Sequence, residues 1–193
     1  MDNDIRRLQK NMKESYIRYW KKTLGDEQAE EGRLYLYRKI KTNFNIEPYL
    51  KHISKFKHRR AMTAFRISAH RLEIETGRYI NNNSIPNKHS NGTHIKREDR
   101  FCTLCYENNN VRETGDEKHA ILHCPKFEEQ RTTLFKQVED NCINFKNLSD
   151  ENKLFYMLTC ENENVVKISR FLHIIYSTQR SCFSKIWNKL SHT

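Results

Sequence analysis

Phe101 to Pro125 reads FCTLCYENNNVRETGDEKHAILHCP, and the rest of the chain has to be built around this stretch. Cys102 and Cys105 form a C-x2-C pair, His119 follows after thirteen intervening residues, and Cys124 after four more. A turn of that kind lets two thiolates grip one tetrahedral ion, and the histidine and third cysteine close the site. Four protein donors leave no coordination position open, so the spacing predicts structural rather than catalytic zinc. By analogy with zinc fingers, closing such a site contributes on the order of 10 kcal/mol to folding. That would hold together a segment with few core residues of its own.

His119 and His123 are also spaced H-x3-H, so Cys102, Cys105, His119 and His123 form a competing two-cysteine, two-histidine set. Two arguments favour Cys124. It precedes Pro125, which biases it away from helical backbone, and a thiolate is the softer and stronger ligand. His123 then falls beside the site. The plain alternative is buried free thiols at chance spacing, with no metal. Cys142, Cys160 and Cys182 sit in helical stripes and read as core residues.

Outward from this module the chain reads as helical. Residues 4–23 place Ile5, Leu8, Met12, Tyr16, Tyr19 and Trp20 at three- and four-residue steps. A second helix is expected over 32–43, burying Leu34, Tyr37 and Ile40, and Pro48 suits the first turn of a short third. The strongest pattern is 56–76, with Met62, Phe65, Ala69 and Leu72 as its buried stripe and Gly77 placed as a left-handed stop. Residues 80–100 read as a loop or linker. Pro125 opens a helix to about Cys142, and Ser149 caps another through Leu158. Asn162 or Asn164 begins the last, striped by Ile168, Phe171, Leu172, Ile175, Cys182, Phe183, Ile186, Trp187 and Leu190. The expected fold is all-α: a helical domain with a small irregular CCHC zinc module inserted between basic N-terminal and neutral C-terminal helices. Its parts are a basic helical region (1–79), the linker (80–100), the module (101–124) and C-terminal helices (125–193) packing as one domain with the rest.

Composition agrees. The 193 residues suffice for one domain or two small ones, with 36% hydrophobic and 11% aromatic residues. Five Gly and three Pro are too few for a turn-rich all-β fold. No apolar run is long enough to span a bilayer. Met1-Asp2-Asn3-Asp4 lacks the basic and apolar regions of a secretory signal. An intracellular, reducing location is therefore expected, where neighbouring cysteines read as metal ligands.

The net charge of +11 is uneven: residues 1–100 carry all of it, and 101–193 sum to zero. A polycationic half suggests a polyanionic partner, nucleic acid or an anionic membrane surface, against the simpler reading of a solvated basic face. Lys51, Lys55, Lys57, Arg59, Arg60, Arg66, Arg71 and Arg78 are the candidate contacts, interleaved with Tyr49, His52, Phe56, His58 and His70 as stacking partners. Lys55 to Arg60 also resembles a nuclear-import run.

The string Phe65-Arg66-Ile67-Ser68-Ala69-His70-Arg71-Leu72-Glu73-Ile74-Glu75-Thr76-Gly77-Arg78-Tyr79 resembles a segment near the C-terminus of many invertebrate non-LTR retrotransposon reverse transcriptases. Tyr37-x-x-x-Lys41 and Glu47-Pro48-Tyr49-Leu50 upstream are similar to that family's preceding helices. Arg100-Phe-Cys102-x-x-Cys105, Asp116-Glu117-x-His119 and Cys124-Pro125 with Arg131 are similar to its zinc-binding motif. The likeness covers roughly residues 30–135. It implies a zinc-containing region that follows a polymerase domain and helps to hold template RNA or target DNA. It puts zinc on Cys102, Cys105, His119 and Cys124, and gives Glu117 and Arg131 a supporting role as a pair beside the site. Arg66, His70, Glu75, Arg78 and Tyr79 match the preceding motif, and His70, Glu75 and Arg78 could form a polar network fixing the helix end against the module. The chain departs from the family in having no preceding polymerase domain and no Asp-Asp pair for two catalytic ions, so it looks like a detached remnant.

The expected function is a zinc-stabilised nucleic-acid-binding module with no membrane partner. The alternative is a structural or protein-interaction module stapled by zinc. An enzyme is not expected: the acids are scattered, and the cysteine pair lacks the order and proline of a zinc deaminase.

Overall fold

The computed structural model describes residues 2–24, 34–41, 43–77, 95–109, 111–142 and 144–190. These form helices, with no strand among the described residues, so the fold is all-α with the Cys/His cluster inside it. The helices are α1 (Asp2–Leu24), α2 (Tyr35–Ile40), α3 (Pro48–His52), α4 (Phe56–Arg66), α5 (Glu73–Thr76), α6 (Thr103–Asn109), α7 (Glu128–Glu139), α8 (Asp150–Thr159) and α9 (Asn164–Leu190). The chain divides into two compact units, 1–46 and 47–193. Arg78, Tyr79 and most of the expected linker lie outside the described residues. So do the side chains of Cys182, Phe183, Ile186, Trp187 and Leu190.

In the first unit, α1 is amphipathic as its periodicity predicts, yet Ile5, Leu8, Met12, Tyr16 and Tyr19 remain exposed. Tyr16 meets Trp20 and Phe44 edge-on, and Trp20 packs against Tyr37. α2 buries Leu36 and Ile40, while the expected Leu34 and Tyr37 are half-buried.

The second unit is organised by α4 lying along α9. Met62 and Phe65 from α4 and Ile168, Leu172 and Ile175 from α9 are wholly buried or nearly so. Burying each such side chain stabilises by about 1.5–3 kcal/mol. His58 packs on His173 with ring centroids 5.4 Å apart. Arg60 lies 5.9 Å from the Tyr176 ring. At the ends of the last two helices, Ser149 Oγ accepts the Asn152 N–H at 3.3 Å and Asn162 Oδ1 accepts the Asn164 N–H at 2.9 Å.

The long helix expected over 56–76 is instead two helices with a break between them. At the end of α4, Ala69 N–H bonds back to the Ala64 carbonyl at 2.8 Å and Ser68 N–H to that of Phe65 at 3.5 Å. This is the paired closure of a Schellman turn, with Ser68 in the left-handed position at φ 50°. A side chain in that conformation costs about 1 kcal/mol. Ser68 Oγ offsets the cost by donating to Glu117 Oε1 at 3.0 Å. Consequently Ala69 is exposed rather than buried. Gly77 is not left-handed either (φ −62°, ψ −12°). Its role is close approach, since a Cβ there would lie 2.8 Å from Cγ and Cδ of Arg100.

The His58–His173 contact has a pH consequence. Burial, then the positive fields of its neighbours (His173, Lys57, Lys55 and Arg170), lowers the pKa of His58. Burial and Lys57 do the same for His173. Below about pH 6.5 the unfolded chain therefore binds more protons than the folded one, and stability falls as the pH drops. Between about pH 7 and 5, the thermal midpoint of the native chain should fall further than that of His173→Phe. Equal falls in thermal melts of the two proteins would remove this pair as the cause.

Candidate functional site

The module starts from an isolated antiparallel bridge. Cys102 N–H donates to the Glu113 carbonyl at 2.7 Å and Gly115 N–H to that of Arg100 at 2.8 Å, flanking the Phe101–Thr114 bridge. This closes the loop between Cys105 and His119. Cys102 sits just before α6 and Cys105 in its first turn, where the N–H groups of Cys105 and Tyr106 point back to the Cys102 carbonyl.

His119–His123 forms a π-helical turn. Asp116 Oδ1 accepts the His119 N–H at 2.8 Å at its start, and at its end Cys124 N–H bonds to the His119 carbonyl at 2.7 Å. That wide closure brings the Cys124 backbone against that of His119. Cys124 itself is extended (φ −57°, ψ 120°), as its position before Pro125 requires.

Cys102, Cys105, His119 and Cys124 are all buried, and their four donor atoms lie within 4.8 Å of one another. Cys105 Sγ is 3.2 Å from His119 Nε2 and 3.6 Å from Cys124 Sγ. The cysteines of the group are free thiols. This group is suited to hold a metal ion. His123 is no part of it: its ring is exposed and pairs with Asp150 at 2.9 Å, tying the turn to α8. The hydrogen bond with Cys124, then burial, raises the Cys102 thiol far above its usual range. Burial holds Cys105 at about 11. Burial alone would lower the pKa of His119, but the hydrogen bond and charge of Cys102, with Asp116 and Glu113, raise it. A cation has to displace these protons, so its occupancy falls as the pH drops.

The supporting contacts differ in part from those expected. Glu117 and Arg131 do not pair with each other. Glu117 Oε1 accepts from Ser68 and lies 2.9 Å from His70 Nε2, bracing the α4–α5 turn. Burial would raise its carboxyl, but the charge and hydrogen bond of His70, with further bonds including Ser68, hold it down at about 2. Arg131 donates to the Cys124 carbonyl at 3.0 Å and pairs with Glu128. Of the expected His70–Glu75–Arg78 network, His70 and Glu75 are buried and Arg78 is outside the described residues.

Two further residues act here in ways no spacing rule marked. Glu73 Oε1 accepts from Thr103 N and Oγ1 at 2.9 and 2.6 Å, capping α6 beside Cys102. Arg100, buried, donates to the Ile74 and Ile95 carbonyls. The module is not poor in core residues, contrary to expectation: Ala120, Ile121 and Leu122 are all buried.

The cation series divides. Lys51, Lys55, Lys57, Arg60 and Arg71 are exposed. Arg59 is half-buried and clamps the Ile53 carbonyl through Nε and Nη2 at 3.1 and 2.8 Å. Arg66 is buried, pairs with Glu47, donates to the Leu158 carbonyl and lies over Tyr49. It is therefore a core cation rather than a surface one. His58, His70 and Tyr49 are likewise buried, whereas Phe56 is 74% exposed.

Two outcomes follow from this geometry. His123→Ala should bind cobalt(II) with unchanged stoichiometry and thiolate absorption, and Cys124→Ala should lose both; the reverse would hand the fourth position to His123. A Cβ on Gly115 would sit 2.3 Å from Glu73 Oε2 and 3.0 Å from Glu73 Cβ. Gly115→Ala should therefore cost about 1–3 kcal/mol in urea unfolding, and an unchanged midpoint would mean that Glu73 is not held there.

No described helix is long and apolar enough to cross a membrane. In comparisons with known proteins, the chain matches no family model, no curated protein and no solved structure.

Proposed function

We propose that this chain is a zinc-stabilised module that binds nucleic acid, and that its likeness to the tail of non-LTR retrotransposon reverse transcriptases reflects a shared way of holding template RNA or target DNA. The observation that carries the reading is the display of Lys51, Lys55, Lys57 and Arg60, with Phe56 among them, on helices braced by the four-donor centre. Zinc is the ion that suits the donors. Bond lengths of about 2.3 Å to sulfur and 2.0 Å to nitrogen place tetrahedral donors about 3.5–3.8 Å apart. The 3.2 and 3.6 Å separations around Cys105 lie close to that. Cys102, Cys105, His119 through Nε2 and Cys124 would hold the ion. It would supply folding free energy, with no position left for a substrate, and the proposal assigns the protein no reaction.

The cations act as phosphate-neutralising groups, so binding is largely electrostatic. Lys55, Lys57 and Arg60, the exposed cations of the Lys55–Arg60 run, are also suited to nuclear import. A second reading is favoured by the exposed stripe of α1, which suits docking to another protein. Sedimentation that depends on concentration, without affinity for nucleic acid, would favour that alternative.

In fluorescence anisotropy at about 50 mM salt the zinc-loaded chain should bind labelled oligonucleotides, with affinity falling steeply as salt rises. Chelation should lower helicity and abolish binding together. Absence of binding to both single and double strands at that salt would overturn the reading. Retention of full helicity and affinity by metal-free Cys102→Ser would remove zinc from it.

A further inference from the structure

The zero charge of residues 101–193 conceals a division. All twelve acidic residues of that half lie between Glu107 and Glu163. From Asn164 to the end there are Lys167, Arg170, Arg180, Lys185 and Lys189, and no carboxylate. From Pro48 to Leu72, likewise, seven cations stand without an acid. The fold lays these two acid-free segments side by side, since α4 packs along α9.

The described part of their shared face is specific. Arg60 of α4 and Arg180 of α9 each place a guanidinium 5.9 Å from the Tyr176 ring. Phe56 lies one turn before Arg60 on the same side of α4. Lys55, Lys57 and Arg170 stand around the His58–His173 contact, close enough for their charges to act on His58. Lys55, Lys57, Arg60, Arg170 and Arg180 are all exposed. The face thus carries phosphate-binding groups from two helices, and an exposed phenylalanine ring at one end of it.

We infer that the nucleic-acid surface is the α4–α9 face, with Arg170 and Arg180 contributing as much as the α4 cations, and that its ligand is a single strand with a base stacked on Phe56. This deepens the proposed function and rests on it. A duplex keeps its bases stacked on one another and has none to offer the ring, whereas every unpaired base has a π-face to stack on it. Cations on both helices would then track the backbone on either side of the Tyr176 ring.

The test compares a labelled 20-nucleotide oligouridine and a 20-base-pair duplex on the full chain. The variants are Arg170→Glu with Arg180→Glu, and Phe56→Ala. All three positions are exposed, and thermal melts confirm that each variant is folded. Expected are a loss of at least ~10-fold in oligouridine affinity for the double variant, and a salt slope shallower by about 0.7 per lost phosphate contact. Phe56→Ala should lose ~10-fold on the single strand with little change on the duplex. If the native chain binds and the double variant binds equally well, the face is elsewhere and the nucleic-acid reading stands. If the duplex is preferred and Phe56→Ala changes nothing, the single-strand assignment is overturned. If the native chain binds neither oligonucleotide, both readings fall, and binding to phosphatidylserine vesicles in that case would mark an anionic lipid surface instead.

Discussion

Three thiols and an imidazole, carried on two turns, have to converge within 4.8 Å inside the protein, and much of the unusual backbone of the second unit answers that demand. The pairing of residues 100–102 with 113–115 brings the two ends of the loop together. The π turn bonds Cys124 back to His119, and extended backbone at Cys124 turns the chain away into α7. Side chains from neighbouring elements then brace each part. Glu73 caps the helix that carries Cys105, Glu117 grips Ser68 and His70, and Arg131 holds the Cys124 carbonyl. The donors are thereby tied to α4, α5 and α7, so the centre belongs to the same packing problem as the helices.

What could be read from the chain was whatever depends on local spacing. The cysteine and histidine intervals identified the four donors, and the apolar steps at Ile168, Phe171, Leu172 and Ile175 marked the buried side of the last helix, where all four are buried. Ser149 and Asn162 acted at the helix starts where hydroxyl and amide side chains are expected. The residues misread are those whose partners are distant. Ser68 breaks α4 because its hydroxyl meets Glu117, and Arg66 is drawn inward by Glu47 and the Leu158 carbonyl. Neither partner is visible in a window of helical length, and periodicity alone ran one helix through the break. His123, set aside in favour of Cys124 from the sequence, likewise meets a partner far along the chain, Asp150.

Charge was misjudged by averaging. Summed over half the chain, the acids of residues 107–163 cancel the cations of the last helix, although the two occupy different stretches of the sequence. Burial adds a second sorting. Arg66 and Arg100 spend their guanidinium groups on carbonyls inside the protein, while Lys55, Lys57 and Arg60 face water. In the proposed function the two sorts divide the work. Interior cations and the metal centre hold the helices in place, and exterior ones meet phosphate.

The pairing of α4 with α9 also bears on how the protein is made. His58 and His173 are roughly 115 residues apart in sequence and adjacent in the fold. A ribosome adds about 5–20 residues per second, so the apolar side of α4 emerges about 6–23 seconds before its partner helix exists. During that interval Met62 and Phe65 have no mate from the C-terminal end. The metal module and the side chains of α5, α7 and the Ser68 turn that brace it are all made before α9, which would give the nascent chain one folded unit while it waits. Synthesis that stopped before α9 would leave a basic helix with its greasy side uncovered, a species for chaperones rather than for nucleic acid.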